Sequence, residues 1–264
     1  MDTEQAMTLK TPWNAPSIPP IVYWALGVVL AWTALAHFYR ESMMILWQWV
    51  PHLASGLRMN VLFSVLAIAI GTLLGAVVGA LELSRSRRIS LPAQWYVQFF
   101  RNAPILVLIF FATYVFPFEI RIGTMYLSFP DWIKATLGLA LPAGAHIAEI
   151  FRGAILSITS AQWEAAASLG FSRSQTLRWV ILPQCVKRVL PPWMNLYAMI
   201  TMSTTLASLV GVRELLESAK NASNTVNRTD FTVLIYLAVL TLFFLYCYPI
   251  TRFTARLERK YVFH

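Results

Sequence analysis

The stretch Glu164-Ala165-Ala166-Ala167-Ser168-Leu169-Gly170, running on through Phe171 to Leu182-Pro183, decides how this chain is read. It spells a short polar helix, a glycine break, a second short helix and a proline. Thr159 and Gln162 stand at capping-box spacing ahead of the first helix, expected from Ser160 to about Leu169. Gly170 is its natural C-terminal stop, because glycine accepts positive φ. Ser172 and Gln175 repeat the capping-box spacing for the second helix. That helix places Leu177, Val180 and Ile181 on its apolar side, and Pro183 is expected to follow its end. The alanine run gives high helix propensity and a slim profile. A slim helix carrying Glu164 suits a groove on a partner.

The flanks of this stretch are apolar. Of 264 residues, 58% are apolar and 12% charged, the balance of an integral membrane protein. Six segments are long and apolar enough to span: 21–39, 57–81, 92–117, 132–156, 189–211 and 231–251. The first has a poorly charged lead-in and no small-residue cleavage site after it, so it reads as a span and not as a signal peptide. Basic residues orient the set. Arg85, Arg87 and Arg88, then Arg152, Arg173, Arg178, Lys187 and Arg188, then Arg252, Arg256, Arg259 and Lys260 fall on one side with Lys10. The alternate segments carry fewer. The positive-inside rule places the richer side, both termini and the Glu164 loop in the cytoplasm. The net charge of +9 is therefore topological, and nucleic-acid binding is not expected.

Around these spans the tail 1–20 is proline-rich, with Pro12, Pro16, Pro19 and Pro20. Residues 41–56 are apolar and aromatic but too short to span, and read as a periplasmic interfacial helix; an extension of the first span is the alternative. Gly71, Gly75 and Gly79, with Ala67 before them, form a four-residue ridge of small side chains where another helix can come close. The segments around 118–131 and 212–230 are periplasmic. Cys185 and Cys247 lie too far apart in topology for a disulfide, and no metal-ligand spacing occurs. No nucleotide-binding or hydrolytic signature is present, so any ATPase is another chain.

Polar residues inside the spans are costly and mark candidates for function. Arg101 lies within the third span. Pro142, His146, Glu149 and Gly153 share one helical face of the fourth, with Arg152 one turn on. The fifth carries Asn195, Thr201, Ser203, Thr204, Thr205 and Ser208. Arg101, His146, Glu149, Ser203, Thr204 and Thr205 are the candidate lining of a polar route. The competing reading is structural: Arg101 pairs with Glu149 or with carbonyls, and the hydroxyls bond back into their own helix.

Glu164-Ala165-Ala166, then Gly170, then Val180-Ile181-Leu182-Pro183 resembles the loop of permease subunits of bacterial ATP-binding-cassette importers. Gly144-Ala145-His146-Ile147-Ala148-Glu149-Ile150-Phe151-Arg152-Gly153-Ala154-Ile155 looks like the segment before that loop in polar amino-acid importers. Arg101-Asn102-Ala103-Pro104-Ile105-Leu106 is similar to their Arg-Gly-Thr-Pro-Leu-Leu. Leu182-Pro183-Gln184 and Leu190-Pro191-Pro192 also match. The resemblance spans about 57–255. It implies an all-α type I importer permease with six transmembrane helices in the bacterial inner membrane and a coupling helix that inserts into an ATPase. The division is a cytoplasmic tail 1–20, an added span and interfacial segment 21–56, a permease core 57–255 with coupling loop 158–185, and a tail 256–264. Glu164, Ala165, Ala166, Gly170, Leu182 and Pro183 take the ATPase-coupling role.

By the same resemblance the chain is not itself an enzyme and holds no cofactor, ATP and Mg being bound by an ATPase dimer. A second permease subunit and a periplasmic solute-binding protein complete the complex, which takes up an amino acid or an opine by alternating access. In the fifth span the family's Lys-Asp-Thr-Ser-Leu is Met202-Ser203-Thr204-Thr205-Leu206 here, and the missing charged pair favours a heterodimeric pore. Two rivals stand beside this reading. A self-sufficient secondary transporter or channel would call for a mid-membrane coupling-ion site, and no acidic residue supplies one. A scaffold or sensor subunit would need no polar path.

Overall fold

A computed structural model gives the structure for residues 20–38, 40–122 and 125–261. The proline-rich stretch 1–19 and Lys10 lie outside the described residues. The helices are α1 (Pro20–Phe38), α2 (Arg40–Glu82), α3 (Arg87–Asn102), α4 (Ile105–Val115), α5 (Asp131–Leu156), α6 (Ser160–Ser168), α7 (Arg173–Gln175), α8 (Leu182–Ser203), α9 (Leu215–Val226) and α10 (Thr229–Tyr261). A small antiparallel hairpin, β1 (Glu119–Ile122) and β2 (Met125–Ser128), joins α4 to α5. Among the described residues, α2, α5 and α10 are each long and apolar enough to cross a membrane.

The two remaining core spans are broken. The expected span 92–117 divides into α3 and α4, which meet at 105°. The cause is Pro104, which has no N–H to donate and forces Ala103 into extended backbone (φ −78°, ψ 133°). The expected span 189–211 begins earlier, in α8, and ends in a 3₁₀ stretch, Thr204–Val210. Here the hydroxyls of Thr204, Thr205 and Ser208 each donate to the carbonyl three residues back. These bonds suit the tighter turn, and Gly211, at φ +79°, ends it.

Residues 41–56 are not a separate helix; they are the first part of the single helix α2. Their packing explains this. Leu46 and Leu53 are buried in a cluster with Leu215, Ala219 and Ala222 of α9 and Phe231, Leu234 and Ile235 of α10. One face of the segment is thus held against two helices. At the other end of the chain α10 continues to Tyr261, so most of the segment expected as a tail from 256 is helical.

The main core lies between α2 and α5. Phe63, Ala67 and Ile68 meet Leu139, Ala140, Ala143 and Ile147, and Ile109, Leu196 and Ile200 close the cluster. The glycine ridge sets its spacing. A Cβ added at Gly71 would sit 2.8 Å from the Ala143 Cβ, one at Gly75 would sit 2.6 Å from the Gly144 carbonyl oxygen, and one at Gly79 would sit 2.9 Å from that of Ala148. Helix α5 thus rides along the ridge backbone to backbone, the close approach the four-residue spacing predicts.

Candidate functional site

Two places answer to the sequence candidates. The first is the loop after α5. Helix α6 covers Ser160–Ser168, one residue short of the expected end, and Gly170 takes φ +77° beyond it. Thr159 is the N-cap residue but its side chain makes no capping bond, so the expected first capping box is absent. The second is present in both directions: the Gln175 N–H donates to Ser172 Oγ at 3.3 Å, and the Ser172 N–H to Gln175 Oε1 at 2.8 Å.

The expected proline stop also fails. Helix α7 runs through a π-turn, Thr176–Ile181, straight into α8, with Pro183 in its first turn. The Leu182 N–H donates to the Leu177 carbonyl, five residues back. The wide turn uses the last donor before the proline, whose missing N–H costs little at a helix start. The loop is therefore not an independent hairpin. Its second half is an extension of the fifth span, which gives any push on the loop a continuous lever.

One face of the loop is anchored and the other is free. Ala166 is 3% exposed. Beneath it Ile158, Ile181, Cys185 and Ala154 form a small core with Trp163, Leu177 and Val180 packed against it. Arg188 donates to both the carbonyl and the hydroxyl of Ser157, at 2.8 and 2.7 Å, which pins α8 to the end of α5. Glu164, Ala165, Gly170, Leu182 and Pro183 are exposed. Five of the six loop candidates thus form an outer surface, and Ala166 is the foot on which it stands.

The second place is an open cleft of about 660 Å³ between α3, α5 and α8, lined by Arg101, His146, Glu149, Arg188, Asn195 and neighbouring apolar side chains. Arg101 reaches Glu149 at 3.3 Å, and Arg152 binds the other oxygen of the same carboxylate. The three side chains are about a third exposed, at 36%, 28% and 36%. Gly153 joins the lining, whereas Pro142, on the same sequence face, is buried in α5. The cluster is a cation-rich wall along the cleft: two guanidinium groups share one carboxylate, and Arg188 adds a third guanidinium. It can attract and orient a carboxylate-bearing solute without holding it by a fixed cage.

Ser203, Thr204 and Thr205 do not line this cleft. Their hydroxyls donate to the carbonyls of Met199, Thr201 and Met202, and Thr204 also accepts from Asn60 at 2.8 Å. The structure thus brings Arg101, His146 and Glu149 together and leaves the hydroxyl trio elsewhere.

Sequence reasoning passed over two groups. Glu82, at the end of α2, lies within electrostatic range of Glu149, Arg152 and Arg101; a lone acid at the end of an apolar span was its one signal. The other is a lock at the middle of α2. Asn60 Nδ2 donates to Glu214 Oε2 at 2.8 Å, Asn60 Oδ1 accepts from the Leu215 N–H at 2.9 Å, and Glu214 Oε1 accepts from the Glu217 N–H at 2.8 Å. Asn60, Thr204 and Glu214 are all fully buried. Glu214 lies past the end of the fifth span and caps α9. Burial pushes its carboxyl above the ordinary carboxylate value, while hydrogen bonds from backbone N–H groups and Asn60 pull it down.

Comparison with known proteins places the chain. The family model described as binding-protein-dependent transport system inner membrane component matches residues 67–262. The probable amino-acid ABC transporter permease protein YckA of Bacillus subtilis (strain 168) is 34% identical over 211 residues, 80% of this chain and 89% of that one. The glutamine transport system permease protein GlnP of Escherichia coli (strain K12) is 33% identical, over 64% of this chain and 76% of its own. In the crystal structure of an amino acid ABC transporter with histidines, one chain matches with a TM-score of 0.72 and 26% identity, covering 81% of this chain and 96% of that one. The MetNI methionine ABC transporter shares the fold, with a TM-score of 0.61 at 17% identity, over 79% of this chain and 97% of that one. This chain belongs to the family of inner membrane components of binding-protein-dependent transport systems.

Proposed function

We propose that this chain is half the pore of an ATP-driven importer for a polar amino acid or a related compound such as an opine, working by alternating access. The observation that carries the reading is the α6 loop. Glu164 and Ala165 face outward from a helix whose other face is clamped through Ala166, and the loop passes without a break into α8. An ATPase groove that takes the outer face can drive the fifth span by moving the loop. ATP and Mg belong to that ATPase dimer, and hydrolysis takes place there. Both termini and the loop are cytoplasmic in this reading, and a periplasmic solute-binding protein delivers the solute at the opposite face.

The solute class rests on two supports. Relatives named for glutamine and octopine transport fall in one sequence group with this chain. On the cytoplasmic part of the route the Arg101, Arg152 and Arg188 guanidinium groups outnumber the Glu149 and Glu82 carboxylates. The loss of the family's charged pair in the fifth span favours a second, non-identical permease as the other half.

The test is to tag the chain in its native host, solubilise it gently and identify the co-purifying proteins. An ATP-binding-cassette ATPase in matching amount supports the reading, and a second permease in the same fraction settles the heterodimer. A well-folded chain that emerges alone would remove the coupling role from Glu164.

A further inference from the structure

The hairpin between α4 and α5 has two unlike faces. In an antiparallel pair, residues directly opposite each other share a face, and successive residues alternate. The register pairs Glu119 with Ser128, Ile120 with Leu127 and Arg121 with Tyr126. Ile120, Leu127 and Met125 therefore share one face, and Glu119, Arg121, Tyr126 and Ser128 share the other. The polar face is internally consistent, since the Arg121 guanidinium lies 5.7 Å from the Tyr126 ring centre. The apolar face has little cover: Met125 is 75% exposed and Leu127 57%. A two-stranded hairpin is marginal alone in water, so one with a bare apolar face needs a second surface.

That surface is continuous with one the chain already presents. Helix α4 is wholly apolar or aromatic apart from Thr113, and Val107, Phe111, Tyr114 and Val115 stand exposed along it. The exposed run continues through Phe116 and Phe118 into β1. The hairpin base is fixed. The Phe129 N–H donates to the Phe118 carbonyl at 2.7 Å. The buried Lys134 ammonium lies 3.9 Å from the Phe118 ring centre and 3.1 Å from Asp131. Aromatic residues gathered at one end of apolar helices, beside charged side chains on the opposite face, are the pattern of a membrane–water boundary.

We propose that this hairpin lies flat in the bilayer interface on the side opposite the α6 loop. Ile120, Met125 and Leu127 dip toward the acyl chains, and Glu119, Arg121, Tyr126 and Ser128 face headgroups and water. The occupant of the apolar face is lipid. The inference needs the chain's place in the membrane and is independent of what the complex transports.

The experiment uses the intact complex in vesicles of phosphatidylethanolamine and phosphatidylglycerol. Met125→Cys, Leu127→Cys, Glu119→Cys and Ser128→Cys are labelled with a nitroxide one at a time. The parent chain, whose Cys185 and Cys247 are both buried, gives the background. Collision with oxygen, enriched in lipid, is compared with collision with a water-soluble nickel chelate. Positions 125 and 127 should show an oxygen-to-nickel ratio several-fold above positions 119 and 128. Equal, high nickel access at all four would place the hairpin in water and overturn the proposal. Shielding of 125 and 127 from both reagents would overturn it in favour of a protein cover, such as the second pore subunit.

Discussion

Helix α2 touches two polar networks, one at its middle and one by its C-terminal end, and they are built on opposite principles. At the middle Asn60, Thr204 and Glu214 are fully buried, and a carboxylate is held by neutral donors alone. By the C-terminal end Arg101, Glu149 and Arg152 are about a third exposed along a cleft. Glu82 lies nearby. A sealed network leaves a costly orphan if one member is removed. Half-exposed ion pairs are screened and hold little stability. The first arrangement fixes α2, α9 and the end of the fifth span to one another. The second leaves its charges free to be redirected toward a solute.

Five substitutions press on that contrast. Asn60→Leu should cost the most, about 4 kcal/mol, because it strands a buried carboxylate oxygen and the Leu215 N–H together. Thermal unfolding of the solubilised complex reads it, and a loss under about 1 kcal/mol would show that water enters the lock. Gly75→Ala comes next, at about 1–2 kcal/mol, since a clash with the Gly144 carbonyl outweighs the gain in helix propensity. Gly27→Ala, where an added Cβ meets nothing within 4 Å, is the control and should cost nothing.

Glu214→Gln sharpens the comparison through pH. The native carboxyl is raised by burial, so in the window between its ordinary value and its raised value the folded state binds a proton that the unfolded state does not. Stability from this group is greatest below the ordinary value, declines as pH rises through the window, and is lost above the raised value. Lowering pH from neutral toward 4.5 should therefore raise the wild-type midpoint relative to that of Glu214→Gln. Parallel midpoints would remove the burial account. Arg101→Ala should have only a small effect on stability, within about 1 kcal/mol, yet abolish uptake in an assembled complex. Loss of the complex itself would make the cleft cluster a second lock, and the contrast would fail.

What could be read from the sequence divides along the same line. The glycine ridge was legible because its four-residue spacing is local, and its partner helix needs only to be close. The loop was legible for the same reason: Gly170 and the Ser172–Gln175 box act within a few residues. Arg101 and Glu149 could be paired as one of two readings, since opposite charges in apolar surroundings seek each other. The lock could not, because Asn60 and Glu214 lie far apart in the chain and neither is unusual in its own neighbourhood. The break at Pro104 had a local signal, but the apolar average across 92–117 concealed that α3 is polar on one face, with Gln94, Gln98 and Arg101. The missed continuity from the loop into α8 has a related cause. A proline reads as a stop, and only the hydrogen-bond pattern reveals a π-turn that accommodates it.

Uptake and ATP hydrolysis, followed together in vesicles containing the whole complex with either native Glu164 or Glu164→Lys, show whether the α6 loop links ATPase to pore. Because Glu164 lies on the exposed face of α6, the variant should fold and insert as the parent does. The account predicts that it loses uptake while any remaining hydrolysis no longer responds to solute. Normal, solute-stimulated uptake in Glu164→Lys would contradict the assignment of the loop as the link between ATPase and pore.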